Sequence, residues 1–539
     1  MVQAPLTGGM KSPVRLSEGG IVEEIRSAAE RGTPSSLQNG LDLIRSRELG
    51  GSEFGRVMNT VIVTLIQKVY PNPMVRSQFP VLDPSQSRSY TKILQDAEQG
   101  IYAPPQPNSQ DYLEYMLPFL AFLEETNRER LLSALPNLKR AEELNPHGVL
   151  APYFTGLVYE RANQINPASL AYERAYTLSS ECYPAALGLV RIMEAQGRAK
   201  EAIRLLEDLV FQFPDNIIIK RQLALAYYRN RDWSQAEPAI REVLQRNNRE
   251  AEFLLMQAHA LVEQGQLLKA AAPLDLYAAV NPANRLYLFL RARVQAEGYR
   301  NQEAALTYLR SILRLSMIND EVSVYAAGLL LESNREEDQT EGQALLRHLL
   351  EAGTPSLAVM DLAFKDAIRR EAWQEAKSYL TRLLNERFSS QYLASAYMVE
   401  RGLGNHGAAL SYAKRVYEQD PSNEEGSIAY ISALIDSGRR EEAGNLIETR
   451  LASLGGGTVK ARYYYLRSRI GGDEEAALDD LRSSLFEDPR NLNALIALFD
   501  IYRKRGDERR AVYYYKQALS FAPNNPYLRK YEKEYGEQR

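Results

Sequence analysis

The chain has 539 residues and a mass of 61.0 kDa, with 45% hydrophobic residues, 25% charged residues and a net charge of −4 from 65 basic and 69 acidic side chains. That is an ordinary composition for a folded chain, and its balance argues against a dedicated nucleic-acid binder, which carries a basic patch and a high pI. A single cysteine, Cys182, rules out an intramolecular disulfide framework and a cysteine-rich metal site but leaves the compartment open.

In chain order, residues 1–20 (MVQAPLTGGMKSPVRLSEGG) hold no apolar signal core and read as a disordered tail. Their composition is of the kind that follows a cleavage or lipid-attachment site. The sequence therefore leaves two compartments open: periplasm or cell envelope if a signal lay upstream, cytoplasm otherwise. Residues 21–70 read as an N-terminal helical cap or degenerate repeats, with helices near 21–31, 35–47 and 53–69. The most apolar run, Val57 to Val69, is interrupted by Asn59, Thr60, Thr64, Gln67 and Lys68 and falls short of the about 20 residues of a membrane span. Residues 71–111 form an extended, proline-rich linker, or a segment lying along the array's own groove, with one short helix at about Ser87–Gln99.

From residue 112 the chain repeats. Ala134, Ala168, Ala202, Ala236, Ala270 and Ala304 recur every 34 residues; Ala344 takes the same part after a slip; Ala376, Ala409, Ala443, Ala477 and Ala511 follow at 32 to 34. Gly197, Gly265, Gly404, Gly438, Gly472 and Gly506 lie five residues before an in-phase alanine. Pro146, Pro214, Pro282, Pro421, Pro489 and Pro523 lie twelve after one. Within a unit, an amphipathic stretch such as IIIKRQLALAYYRN predicts a first helix. The glycine supplies a left-handed turn. The alanine lets the second helix approach the first, and the proline ends the unit.

This pattern resembles the tetratricopeptide repeat (TPR), a 34-residue helix-turn-helix. Gly156, Tyr159, Ala168, Tyr172 and Ala175 carry the likeness in one unit, and Tyr502, Gly506, Ala511, Tyr515, Ala518 and Pro523 in the last. The resemblance implies an all-α fold: an α-solenoid of about twelve repeats in a right-handed superhelix. It divides the chain into a regular array at 112–318, irregular repeats at 319–390, a second array at 391–526 and a capping helix at 527–539. In that last helix Tyr527, Tyr531 and Tyr535 make one apolar face on a charged helix.

A search for chemistry finds no catalytic, cofactor or metal site. Gly402, Gly404 and Gly407 spell G-x-G-x-x-G, but between two helices rather than in the βαβ setting a dinucleotide needs. His147, His259, His348 and His406 fall in different repeats without partners at metal-ligand spacing. Cys182 has no base beside it in the sequence. The 33 tyrosines, with YYY at 463–465 and 513–515, serve helix packing first and a binding surface second. No enzyme is expected.

The resemblance implies that the first helices line a concave groove for partner proteins or extended peptides. Its register places Tyr153, Leu157, Arg191, Arg221, Tyr228, Arg229, Phe289, Arg293, Arg462, Arg503 and Lys504 on that groove. The lysine and asparagine clamp that grips acidic chaperone tails is absent: its places hold Phe119, Leu123, Tyr153, Leu157, Leu187 and Arg191. The expected function is a non-catalytic interaction scaffold in a bacterial cell-envelope or motility assembly. The alternative is a regulatory or substrate-recognition subunit of a separate enzyme. No nucleic-acid partner is expected.

Overall fold

The computed structural model describes residues 18–71, 89–106, 108–315, 321–352, 355–386 and 390–535. The expected tail up to residue 17 and part of the proline-rich segment, residues 72–88, lie outside the described residues, as do residues 536–539 of the expected capping helix. Among the described residues every regular element is a helix, and the fold is an all-α solenoid of helical hairpins. The chain divides into two compact units, Met1–Tyr308 and Leu309–Arg539, with the division inside the helix Gln302–Leu315.

The first unit opens with three helices, Glu18–Arg31, Pro34–Ser46 and Glu53–Val69. The first begins within the expected tail. The second is opened by a reciprocal cap: Ser36 N donates to Thr33 Oγ1 and Thr33 N to Ser36 Oγ, with Pro34 in the first turn. A helix at Ser89–Glu98 follows, and then the segment 112–144, where hairpin geometry breaks down. Its first helix ends as the short turns Tyr112–Met116 and Leu117–Leu123, and its second is split into Arg128–Ser133 and Leu135–Leu144. Pro118 and Pro136 sit at these breaks, each removing a backbone donor. Regular hairpins then run from Leu150–Arg161 with Ile165–Leu178 through to Arg285–Arg293 with Gln302–Leu315.

In most hairpins the turn is built in one way. The second-last turn residue adopts a left-handed conformation, and the next backbone N–H reaches back five residues: Arg198 N to Met193 O at 2.8 Å, Gln266 N to Leu261 O at 2.8 Å, Asp507 N to Tyr502 O at 3.0 Å. This closure satisfies a carbonyl at the end of the first helix. Gly197, Gly265, Gly404, Gly438, Gly472 and Gly506 all have positive φ. Asn163, Arg231, Arg300 and Glu371 hold the same conformation without being glycines.

Five residues after the left-handed position lies the small buried residue of the second helix. Ala168, Ala202, Ala236, Ala270, Ala376, Ala443 and Ala511 are completely buried. Ala134 and Ala409 are nearly so, at 1% and 2%, and the structure corrects the register at Ala304, Ala344 and Ala477. After Arg285–Arg293 the helix continues as a π turn, Val294–Gly298, which inserts one residue, so that Ala305 is fully buried and Ala304 only half-buried. Ala344 is exposed; Gly342 takes its part, because a Cβ there would lie 2.9 Å from Leu330 Cβ. At Ala477 two glycines, Gly471 and Gly472, lengthen the turn and the alanine is half-buried.

The packing that sets the first unit is clearest at Tyr172. Its fully buried ring lies between Gly156 and Gly188 on the first helices of successive hairpins, where an added Cβ would come within 2.5 Å of it on either side. In the second unit the hairpins run from Glu321–Glu332 with Glu336–Glu351 to Leu492–Lys504 with Glu508–Phe521. The C-terminal cap is not one continuous helix but two turns, Pro526–Arg529 and Glu532–Tyr535. The chain bends inward between them to bury Tyr535, which packs on Phe499 and Tyr515 with ring centres 5.2 and 5.9 Å away.

Candidate protein-binding groove

The first helices of the first unit stand side by side, and equivalent side chains recur along them every 34 residues. One row runs Tyr153, Leu187, Arg221, Leu255, Phe289; a second runs Leu157, Arg191, Leu225, His259, Arg293. At the N-terminal end these rows are covered. Tyr153 and Leu157 are buried, and the end of helix Glu53–Val69 reaches over the neighbouring hairpin. Tyr70 packs edge-on against Tyr183 at 5.5 Å, its hydroxyl donates to Gly32 O at 2.7 Å, and Tyr183 Oη donates to Pro71 O at 3.4 Å.

Beyond Arg191 the rows open. A cavity of about 460 Å³ is lined by Leu225, Tyr228 and Arg229 from helix Ile217–Arg229, by Ala251, Glu252, Leu255 and Met256 from Ala251–Glu263, and by Tyr277 and Leu286. Its wall is therefore aliphatic and aromatic, with Arg229 and Glu252 at the polar edge. Tyr228 is fixed from behind: its hydroxyl lies 2.6 Å from His259 Nδ1, and both rings pack on Trp233 at 5.5 and 5.2 Å.

The candidate arginines are joined to acids of a neighbouring repeat. Arg191 makes a two-pronged bridge to Glu160 at 2.7 and 2.8 Å, and Tyr172 donates to the same carboxylate at 2.6 Å. Burial raises the Glu160 carboxyl, but these donors outweigh it and hold the group below its ordinary range. Arg221 pairs with Glu250 and lies over the Phe253 ring; Arg229 pairs with Glu194 at 3.0 Å; Arg293 bridges Glu263 and Glu297. Phe289 is half-buried beside this ladder. In the second unit Arg462 pairs with Glu425, while Arg503 lies over the Tyr531 ring at 4.9 Å with Asp500 3.6 Å away; Lys504 is exposed. Groove positive charge is thus largely matched by acids supplied from within the array.

The cavity's aliphatic lining, Leu225, Leu255, Met256 and Leu286, is absent from the sequence-derived set. The 34-residue step from Arg191 and Arg221 leads directly to Leu225 and Leu255. Aliphatic positions lack the arginine and aromatic character that marks binding anchors in a sequence. A smaller cavity of about 300 Å³ in the second unit is lined by Pro355, Leu357, Met360, Arg382, Asn385 and Glu386. Of the residues weighed for chemistry, Cys182 is buried with its thiol pushed up to about 11 by burial, which suits packing rather than nucleophilic attack. Gly402 lies against the Trp373 ring and Gly404 forms a hairpin turn, which accounts for two of the three glycines in G-x-G-x-x-G. Among the described residues no three His, Cys, Asp or Glu side chains converge as metal ligands, and no helix is long and apolar enough to cross a membrane.

Two family models, each described as tetratricopeptide repeat, match the chain: one at residues 161–225 and 401–470, the other at 221–282. The chain carries tetratricopeptide repeats over these residues. Its repeats and fold are those of protein-interaction scaffolds. A curated relative, cellulose synthase operon protein C of Pseudomonas fluorescens (strain SBW25), is 23% identical over 415 residues, which is 72% of this chain. The chain spans 30% of that relative's length. Similar solved TPR structures include YrrB, a TPR protein with an unusual peptide-binding site (18% identity, 33% of this chain, 92% of that chain, TM-score 0.31). PilF of Pseudomonas aeruginosa is another (20% identity, 43% of this chain, 96% of that chain, TM-score 0.32).

Proposed function

We propose that the first unit binds an extended segment of a partner protein along its first helices, with a large apolar side chain seated in the Leu225–Leu255–Met256–Leu286 cavity. The observation that carries this reading is the cavity itself: about 460 Å³ of mostly apolar wall opening where the N-terminal cover ends. Groove arginines already paired with Glu160, Glu194, Glu250 and Glu263 offer little to a polyanionic tail. They favour an apolar anchor flanked by polar backbone contacts. Tyr228, Arg229, Arg221, Phe289 and Arg293 then serve as walls and rims rather than as free charges.

The partner is proposed to belong to a bacterial cell-envelope assembly. The likeness to a protein of a cellulose synthase operon supports that setting, and equally supports the second reading, in which the array serves a separate enzyme as a regulatory or recognition subunit. Peptide-library selection on the purified full chain tests the groove. Enriched sequences sharing one large apolar residue, with binding lost in a Leu255→Asp variant, support it. Enrichment of acidic sequences, or binding indifferent to Leu255→Asp, overturns it.

A further inference from the structure

The second helix Leu267–Ala278 has an outer face unlike those of its neighbours. Leu268, Ala272 and Leu276 recur every four residues and are all exposed, Leu268 at 58% and Leu276 at 54%. At the same places one repeat earlier stand Ser234, Pro238 and Glu242, and two repeats earlier Lys200, Arg204 and Asp208. In the following repeat, allowing for its one-residue shift, they are Glu303, Thr307 and Ser311. Isolated exposed leucines such as Leu170, at the place of Ala272 three repeats earlier, are ordinary, but three apolar residues in a row along one helix mark a contact surface.

The charges beside this ridge are arranged symmetrically about its centre. Lys269 lies three residues before Ala272 and Asp275 three after it, and both are exposed. At 3.6 residues per turn they sit about 60° to opposite sides of Ala272. Asp275 pairs with Arg291 on its inner side, yet its side chain stays 67% exposed.

We propose that this face receives a second copy of the chain in a twofold-symmetric contact. A twofold axis along the ridge sets the two four-residue ridges parallel, which is the commonest helix-packing class, with a crossing angle of about −50°. Each Lys269 then stands over the other copy's Asp275, Leu268 and Leu276 are removed from water, and Ala272 at the centre lets the helices approach. The ridge from Leu268 to Leu276 spans only about two helical turns, so the association is of the weak, small-interface kind. The contact is independent of the groove on the first helices.

The test is sedimentation equilibrium of the full chain from micromolar to sub-millimolar concentration, with circular dichroism confirming that each variant is folded. The wild-type chain is expected to dimerise. Leu276→Asp and Lys269→Glu are each expected to weaken the dimer by roughly tenfold or more. Ala272→Cys is expected to form a disulfide-linked dimer on mild oxidation, since Cys182 is buried and Ala272 lies on the axis. A wild-type chain that stays monomeric throughout overturns the proposal. So does a dimer that neither substitution weakens and Ala272→Cys does not trap.

Discussion

Replacing Gly188 with alanine tests the packing logic of the first unit at its tightest point. The new Cβ would lie 2.5 Å from Tyr172 Cε2, 2.6 Å from Cζ and 2.7 Å from Cδ2. The ring cannot retreat, because Gly156 presses its opposite side at the same distance and its hydroxyl is held by Glu160 at 2.6 Å. Overpacking a filled core costs about 1–3 kcal/mol. Alanine recovers up to about 1 kcal/mol in helix propensity over glycine. A net loss of about 1–2 kcal/mol follows from these two effects. The assay is urea unfolding by circular dichroism, with hydrogen exchange locating the loss, because repeat arrays can unfold in parts. The decisive control is the same substitution in a Tyr172→Leu background, where the ring is gone and Gly188→Ala should become neutral or slightly stabilising. Equal destabilisation in both backgrounds, or none in the wild type, refutes the account of Tyr172 as the spacer between successive first helices.

Further outcomes follow from the same structure. Because the folded-state Glu160 carboxyl is depressed, its stabilising contribution is present above the ordinary glutamate range, about pH 4.3, and is lost as pH falls through the lower folded value. The stability gap between wild type and Arg191→Gln should therefore narrow between neutral and strongly acidic pH; a constant gap would remove Arg191 as the cause. Arg231→Gly and Glu371→Gly should each stabilise by roughly 0.5–1 kcal/mol, since a left-handed backbone costs a non-glycine residue about 1–2 kcal/mol and part of that returns as unfolded-state entropy. Melting curves showing a loss at both positions would contradict the turn geometry. At the irregular repeat, Ala344→Leu should change stability by less than about 0.5 kcal/mol, while Gly342→Leu should cost about 1–3 kcal/mol. The reverse order would restore Ala344 to the core.

The fold was legible because three residue types mark time at one period. Alanine, glycine and proline each answer a separate geometric demand of the hairpin, so their common spacing specifies helix, turn and helix without any contact being visible. The register failed where a demand was met by an unmarked residue. At the irregular repeat Gly342 takes the part that alanine has elsewhere, and a π turn at Val294–Gly298 adds a residue that no composition signals. The groove was legible as a row of positions but not as a surface. Whether an arginine is free or bridged depends on an acid about 30 residues away, as at Arg191 with Glu160 or Arg293 with Glu263, and only the stacked structure brings them together. Likewise, nothing local to Tyr153 reveals that a distant segment ending at Tyr70 covers the hairpins beside it.

The central claim is that an apolar anchor of a partner protein enters the cavity between the first helices. Leu255 is half-buried on that wall, so Leu255→Asp should leave the fold intact while placing a charge where the anchor sits. The most direct measurement is calorimetric titration of the wild-type and Leu255→Asp chains with the tightest peptide recovered by library selection. The account predicts binding to the wild type with a negative heat-capacity change and an affinity at least roughly tenfold weaker in the variant. Equal affinity for both chains would place the partner elsewhere and contradict it.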